Sequence, residues 1–396
     1  MDLISVLKSL QKGMGDTLGS LAMVLGFGVM LGKILSETGA IQRISSGMIN
    51  SFGVKNIKLA LVLTGFVVGI AMFYNAGFVV LIPLVFTVAA QTNLPLIYIG
   101  IPMASALSVT HGFLPPHPGP SSIAVLFHAD IGKVLIYGVI VAIPTLFVAG
   151  LLFPNFLKKI PSSPPTGIFS TKIFTNEEMP SFVLSLIVAL IPVLLMAAGS
   201  AADFIFQENS QFKMIFHFIG DPGIALLIAV VGAVFLLKKN QSMEYLMKQM
   251  SESVGSIALI FLIIGAGGAF KQVLIDTGLG KEIALGFKNS NISPLFLGWL
   301  IALLIRVALG SATVAGLTAA GIVQPMLSTL NVNPELMVLS IGAGSLMCSH
   351  VNDTGFWMFK EYFGLTVKDT FKSWTIMETI VGISGLIGVL LLNIFV

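Results

Sequence analysis

A chain of 396 residues that is 56% hydrophobic and only 10% charged, with a mean hydropathy of +0.97, cannot build a water-facing surface, because soluble domains carry about 25% charged residues. The net charge of +3 is scattered, with no basic block interleaved with aromatics, which excludes a nucleic-acid interface. The one cysteine, Cys348, excludes an internal disulfide and any cysteine-built metal site.

Lipid must therefore cover most of the exterior, and spans at that depth are either helices or a closed barrel. A barrel needs short alternating strands, whereas runs such as Ser181 to Ala198 and Gly223 to Leu237 are continuous and apolar. The fold class is an all-α polytopic membrane protein. Residues 1 to 17 lack the basic start, short apolar core and cleavage site of a signal peptide, so the N-terminus reads as uncleaved.

In chain order, the predicted membrane segments are 18–35, 57–72, 77–90, 96–112, 120–128, 134–156, 181–199, 222–237, 254–275, 294–312, 313–330, 335–349 and 374–396. A crossing helix needs about 20 residues, and 77–90 and 120–128 fall short of that beside Gly, Pro and polar residues. They read as re-entrant or interrupted helices facing protein or water. The polar stretch Lys158 to Pro180 carries Pro161, Pro164 and Pro165 and reads as a linker. It divides the chain into a first membrane repeat, residues 1–157, and a second, residues 181–396.

The halves echo one another. Asp16-Thr17-Leu18-Gly19-Ser20 recurs in kind as Glu252-Ser253-Val254-Gly255-Ser256, and Gly26, Gly28, Leu35, Thr38-Gly39 and Ile44 find counterparts in Gly265, Gly267, Leu274, Thr277-Gly278 and Ile283. Asn56-Ile57 pairs with Asn291-Ile292, and Lys133 with Lys368. Duplicated halves with interrupted segments in corresponding places point to a substrate site at the repeat interface near the bilayer midplane. Lys and Arg occur in successive loops without alternation, which leaves sidedness open.

Four polar clusters interrupt the apolar runs. Phe73-Tyr74-Asn75-Ala76-Gly77-Phe78 invites a helix break, whose free N–H and C=O groups, with the Asn75 amide, can hold an anion; the plainer alternative is an interhelical hydrogen bond. Ser108 to Ser122, with Thr110, His111, His117 and four prolines in six residues, must be a rigid bend. Ser121 and Ser122 are expected to open the next short helix as an anion-binding end, against the alternative of a surface loop with structural histidines. Arg306 follows the apolar run Leu297 to Ile305 and precedes Gly310-Ser311-Ala312-Thr313. Its guanidinium suits a carboxylate, or it snorkels to an interface while the small residues serve close packing. Gly265 to Gly268 reads as a flexible or closely packed break, and no P-loop is implied.

The last cluster is Ser349-His350-Val351-Asn352-Asp353-Thr354-Gly355-Phe356-Trp357. A carboxylate in an apolar region costs several kcal/mol, so Asp353, with His350 or Arg306 as partner, is a functional candidate unless it is a helix cap at the membrane edge.

At these residues the chain resembles the bacterial gluconate:proton symporter (gluconate permease) family of the ion transporter superfamily. The resemblance runs the length of the chain and is most specific at His111-Gly112-Phe113-Leu114-Pro115-Pro116-His117-Pro118-Gly119-Pro120, at Arg306 to Thr318, and at Ser349 to Trp357. It implies two inverted-topology repeats and a secondary transporter, not an enzyme, in the bacterial inner membrane. The expected cargo is gluconate or a related sugar acid imported with protons; D-serine or another hydroxy acid is the alternative cargo. By this resemblance relatives usually begin with at least one further membrane segment and commonly carry an acid where this chain has Asn75, which keeps an uncoupled facilitator or a non-transporting sensor as alternatives.

The expected substrate-binding residues are Tyr74, Asn75, Thr110, His111, His117, Ser121, Ser122, Arg306, Ser311, Thr313, Asn352 and Thr354, with Asp353 and His350 as proton-coupling candidates. No cofactor and no metal are expected. The partners are a small anionic substrate, protons and the lipid bilayer, and homo-oligomerisation is left open.

Overall fold

The computed structural model describes residues 2–163, 174–207, 210–239, 241–255, 258–277, 293–327 and 332–396, and among these every regular element is a helix. In chain order these are α1 (Leu3–Glu37), α2 (Ala40–Phe52), α3 (Ile57–Ala71), α4 (Tyr74–Thr92), α5 (Leu96–Phe113), α6 (Pro118–Phe127), α7 (Ile131–Leu146), α8 (Phe182–Ile205) and α9 (Gln211–Gly220). They are followed by α10 (Pro222–Leu236), α11 (Met243–Gly255), α12 (Ala258–Thr277), α13 (Pro294–Leu309), α14 (Ala312–Val323), α15 (Pro334–Leu346), α16 (Thr354–Tyr362), α17 (Val367–Thr370) and α18 (Ile376–Leu392).

Among the described residues, five helical stretches are long and apolar enough to cross a bilayer, or seven if two bent pairs each count as one span. The bent pairs are α1 with α2, at 67°, and α9 with α10, at 69°. The stretch Leu96–Phe127 is 89% buried inside the protein and Phe182–Gly199 only 33%. The α5–α6 unit is thus the centre of the bundle, and α8 is a lipid-facing flank.

Every predicted segment finds a helix, and the structure adds α2, α9, α11, α16 and the short α17. Each of these mixes apolar with polar residues, as in Ala40-Ile41-Gln42-Arg43, so no continuous apolar run marks it. The expected break at Gly265 to Gly268 is absent, since α12 runs straight through. Gly265 instead permits close packing: a Cβ there would sit 3.0 Å from Met14 of α1. Of the residues matched between halves, Ser256, Gly278, Ile283, Asn291 and Ile292 lie outside the described residues, as do Pro164, Pro165 and the end of segment 313–330.

The described ends of the linker are docked. Gln42 exchanges two hydrogen bonds with the Phe174 backbone, each 3.0 Å, Arg43 donates to Pro180 O, and Ser163 N–H donates to Phe363 O.

Close helix contact holds the centre together. α3 lies on α5, where a Cβ at Gly65 would be 2.8 Å from Met103 O and one at Gly69 would be 2.2 Å from Thr110 Oγ1. α13 lies on α15 in the same way: Ser340 Oγ donates to Leu295 O at 2.6 Å, and Trp299 Nε1 donates to Gly382 O of α18 at 3.0 Å. Without a hydrophobic force between helices in lipid, such small-residue contacts and interhelical hydrogen bonds supply the association. The order of elements repeats as well. Helix, break and helix occur at α3–α4 and α13–α14, then at α5–α6 and α15–α16. A helix carrying a π turn follows each time, at Phe147–Leu152 and Phe371–Thr375.

Candidate substrate cavity

The α3–α4 break arises where Met72 and Phe73 are extended (ψ 144° and 150°) before the helix restarts at Tyr74. Between α13 and α14, Gly310 takes φ +79°, and a Cβ there would lie 2.2 Å from Asn352 O, so only glycine fits. Ser311 then caps α14 by accepting from Val314 N–H. The α15–α16 break ends at Asp353, which caps α16 by accepting from Gly355 N–H at 2.9 Å. α6 begins at Pro118 with His117 as its cap residue. This is three residues before the expected start at Ser121, because proline at the first helical position presets the helical φ.

These breaks surround a cavity of ≈ 410 Å³, within the 300–1,000 Å³ usual for small-molecule sites. Its lining runs from the exposed Asn75, Asn352 and Thr354 to the buried Arg306, Ser108 and Glu378. Of the residues selected from sequence, it gathers Tyr74, Asn75, His111, Arg306, Ser311, Thr313, Asn352, Asp353 and Thr354. The other five are not in its lining. Thr110 Oγ1 donates to Leu107 O at 2.9 Å within its own helix. His117 Nε2 bonds the Gly69 carbonyl, and its ring lies 5.3 Å from that of His111. Ser121 and Ser122 are fully buried behind the wall. His350 Nδ1 meets Cys348 O at 3.1 Å.

Charge in the cavity is paired. Arg306, 3% exposed, donates from Nη2 to Asp353 Oδ2 and from Nη1 to Gly310 O. Ser349 Oγ also donates to Asp353 Oδ2, while Trp374 Nε1 donates to Ser349 Oγ at 2.7 Å. Asp353 is thus both the cap of α16 and the partly buried ion-pair partner of Arg306. A guanidinium and carboxylate satisfied in this way can persist out of water, where either alone could not.

Sequence reasoning missed Glu378, which is 1% exposed, lines the cavity and accepts from Ser108 Oγ at Oε1. Its signal was present: an acid in the final apolar segment is as costly as Asp353 and meets the same test. Tyr74 Oη, His111 Nδ1, Arg306 Nε and Glu378 Oε2 are all buried at this cavity and lack a hydrogen-bond partner among the described residues. Buried polar atoms are ordinarily satisfied, so four orphans around one cavity are what a polar guest or its water would engage. Among the described residues no three His, Cys, Asp or Glu side chains converge as a metal site requires.

A cavity that leads from exposed Asn75, Asn352 and Thr354 to a buried arginine, set between broken helices of an apolar bundle, is the arrangement of a membrane transporter. The chain belongs to the GntP permease family, whose pattern (GntP family permease) matches residues 1–395. It is 52% identical to the high-affinity gluconate transporter of Escherichia coli over 100% of this chain and 91% of that protein. It is also 51% identical to the Gnt-II system L-idonate transporter of the same organism (99% and 90% covered) and 45% identical to the gluconate permease of Bacillus subtilis (99% and 90%). In fold it is similar to the YdaH transporter of Alcanivorax borkumensis, with TM-score 0.71 at 15% identity over 100% of this chain and 89% of that one. The antimetabolite efflux pump MtrF of Neisseria gonorrhoeae gives TM-score 0.71 at 16% identity, covering 99% and 84%.

Proposed function

We propose that the protein imports gluconate or a close sugar acid such as idonate across the bacterial inner membrane by proton symport. The observation that carries this is Arg306, a buried guanidinium in the cavity whose Nε has no hydrogen-bond partner among the described residues. A substrate carboxylate entering the cavity would find its one described buried cation there and compete with Asp353 for it. The hydroxyls of an aldonate match the rest of the lining, since Asn75, Asn352, Ser311, Thr313 and Thr354 both donate and accept. The names of the relatives, gluconate and L-idonate transporters, support the same class.

In this reading residues 1–157 and 181–396 are two inverted repeats that move against one another about the cavity, with 158–180 joining them. Proton coupling fits the energetics: an anion and a proton taken up together leave less net charge to desolvate in the occluded state. The test is uptake of labelled gluconate by proteoliposomes under an imposed proton gradient. Accumulation that follows the gradient is expected, gradient-independent uptake refutes the coupling, and failure to take up any sugar acid refutes the substrate class.

A further inference from the structure

We propose that Glu378 is the residue that takes up and releases the coupling proton, with Ser108 as its positioning residue; this rests on the proton-symport reading above. The carboxylates of the cavity are in opposite situations. Asp353 accepts from Arg306, Ser349 and Gly355 N–H, so protonating it would strand a buried guanidinium. His350 stands outside the cavity lining. Glu378 accepts from Ser108 at Oε1, and among the described residues its Oε2 has no hydrogen-bond partner and its carboxylate makes no ion pair.

The groups facing it from the surrounding elements are Tyr74 of α4, His111 and Ser108 of α5, Arg306 of α13 and Asp353 ahead of α16. α7 and α15, which also pack on α18, contribute no titratable side chain to the cavity lining. A proton from the open face binds Oε2, and the Ser108 hydroxyl, which can donate or accept by rotation, serves the carboxylate and the acid alike. The same proton leaves to the opposite face once the cavity has reopened there.

Charge makes the two cargoes obligatory companions. Arg306 and Asp353 cancel, so a bound sugar-acid anion beside an ionised Glu378 would place two uncompensated negative charges in one cavity, whereas a protonated Glu378 leaves one. Like charges in a low-dielectric site disfavour each other strongly. Each cargo therefore favours the binding of the other, and departure of the anion removes part of what holds the proton on Glu378. The π turn Phe371–Thr375 just before α18 sets Trp374 and Glu378 on the same lining, and such turns recur at functional sites.

The experiment compares the full-length wild type, E378Q and S108A in proteoliposomes and in detergent. Wild type should accumulate gluconate roughly tenfold per unit of inside-alkaline pH gradient, the one-proton limit. E378Q should show an accumulation ratio near one, with whatever gluconate exchange it retains insensitive to pH. S108A should keep coupling but shift the pH at which exchange is half-maximal.

A second readout needs no substrate: pH-difference infrared spectra of the purified wild type should contain a titrating carboxylic C=O band that is absent in E378Q. The proposal is overturned if E378Q accumulates gluconate like wild type, if its exchange keeps the wild-type pH dependence, if the titrating band persists in E378Q, or if a sodium gradient replaces the proton gradient. Should the wild type fail to carry gluconate while the band still vanishes in E378Q, the sugar-acid reading fails and the protonation site stands.

Discussion

Arg306 and Asp353 meet across 47 positions of sequence in a setting where each depends on the other. Removing one member of a buried ion pair leaves the other uncompensated, at about 3–5 kcal/mol. Arg306→Gln and Asp353→Asn are therefore each expected to lower the thermal unfolding midpoint in detergent markedly and to abolish uptake. The double variant should recover part of the stability without recovering transport, and a strictly additive loss would show that the two side chains do not interact. Ser349→Ala removes one donor to Asp353 and the acceptor of Trp374 Nε1. Leaving that indole N–H unsatisfied costs about 1–3 kcal/mol, so its midpoint should fall between those of the wild type and the single charge variants. Arg306→Lys keeps the charge but loses the planar fork, and at least a tenfold loss in labelled-gluconate uptake is expected from it.

At the scale of elements, function depends on helices that stop and restart, and stability on helices that approach closely. Gly69 and Gly232 make a controlled comparison within one bundle. A Cβ at Gly69 meets Thr110 Oγ1 at 2.2 Å, whereas at Gly232 the nearest atom is a flexible methyl of Ile191 at 3.6 Å. Overpacking a tight contact costs typically 1–3 kcal/mol. Gly69→Val should thus yield little monodisperse protein and Gly232→Val a normal amount, as size-exclusion profiles in detergent will show; equal yields would refute the α3–α5 contact. The breaks obey local chemistry that is plain in retrospect. Gly310 is required by its positive φ, Ser311 and Asp353 are helix caps, and Pro118 sits where a helix begins. The polar clusters were legible because these residue types interrupt apolar runs. The start of α6 was misplaced because serine and proline both favour a helix N-terminus and only the folded backbone chooses between them.

For the whole molecule, the prediction concerns stability. A ligand that binds only the folded protein adds about 2.7 kcal/mol at a concentration one hundred times its Kd. Gluconate and idonate should raise the unfolding midpoint of the purified transporter. Neutral sugars, which lack the carboxylate for Arg306, should not, and an equal shift from glucose would argue against anion recognition.

The amino-acid sequence by itself determined that this is a lipid-embedded bundle of helices, where most of its helices run, and that its polar clusters break them, though not that Gly265 to Gly268 would stay helical. Each of these follows from the hydropathy or local backbone chemistry of neighbouring residues. Only the tertiary structure decided that Glu378 faces Ser108, 270 positions away, that Arg306 takes Asp353 rather than a lipid headgroup, and that His350, His117, Ser121 and Ser122 stay outside the cavity. The physical reason is that a buried polar atom is satisfied by whichever helix packs beside it. In a bilayer, where apolar faces are nearly interchangeable, that choice is made by the close fit of small residues across distant helices and not by any pattern along one of them.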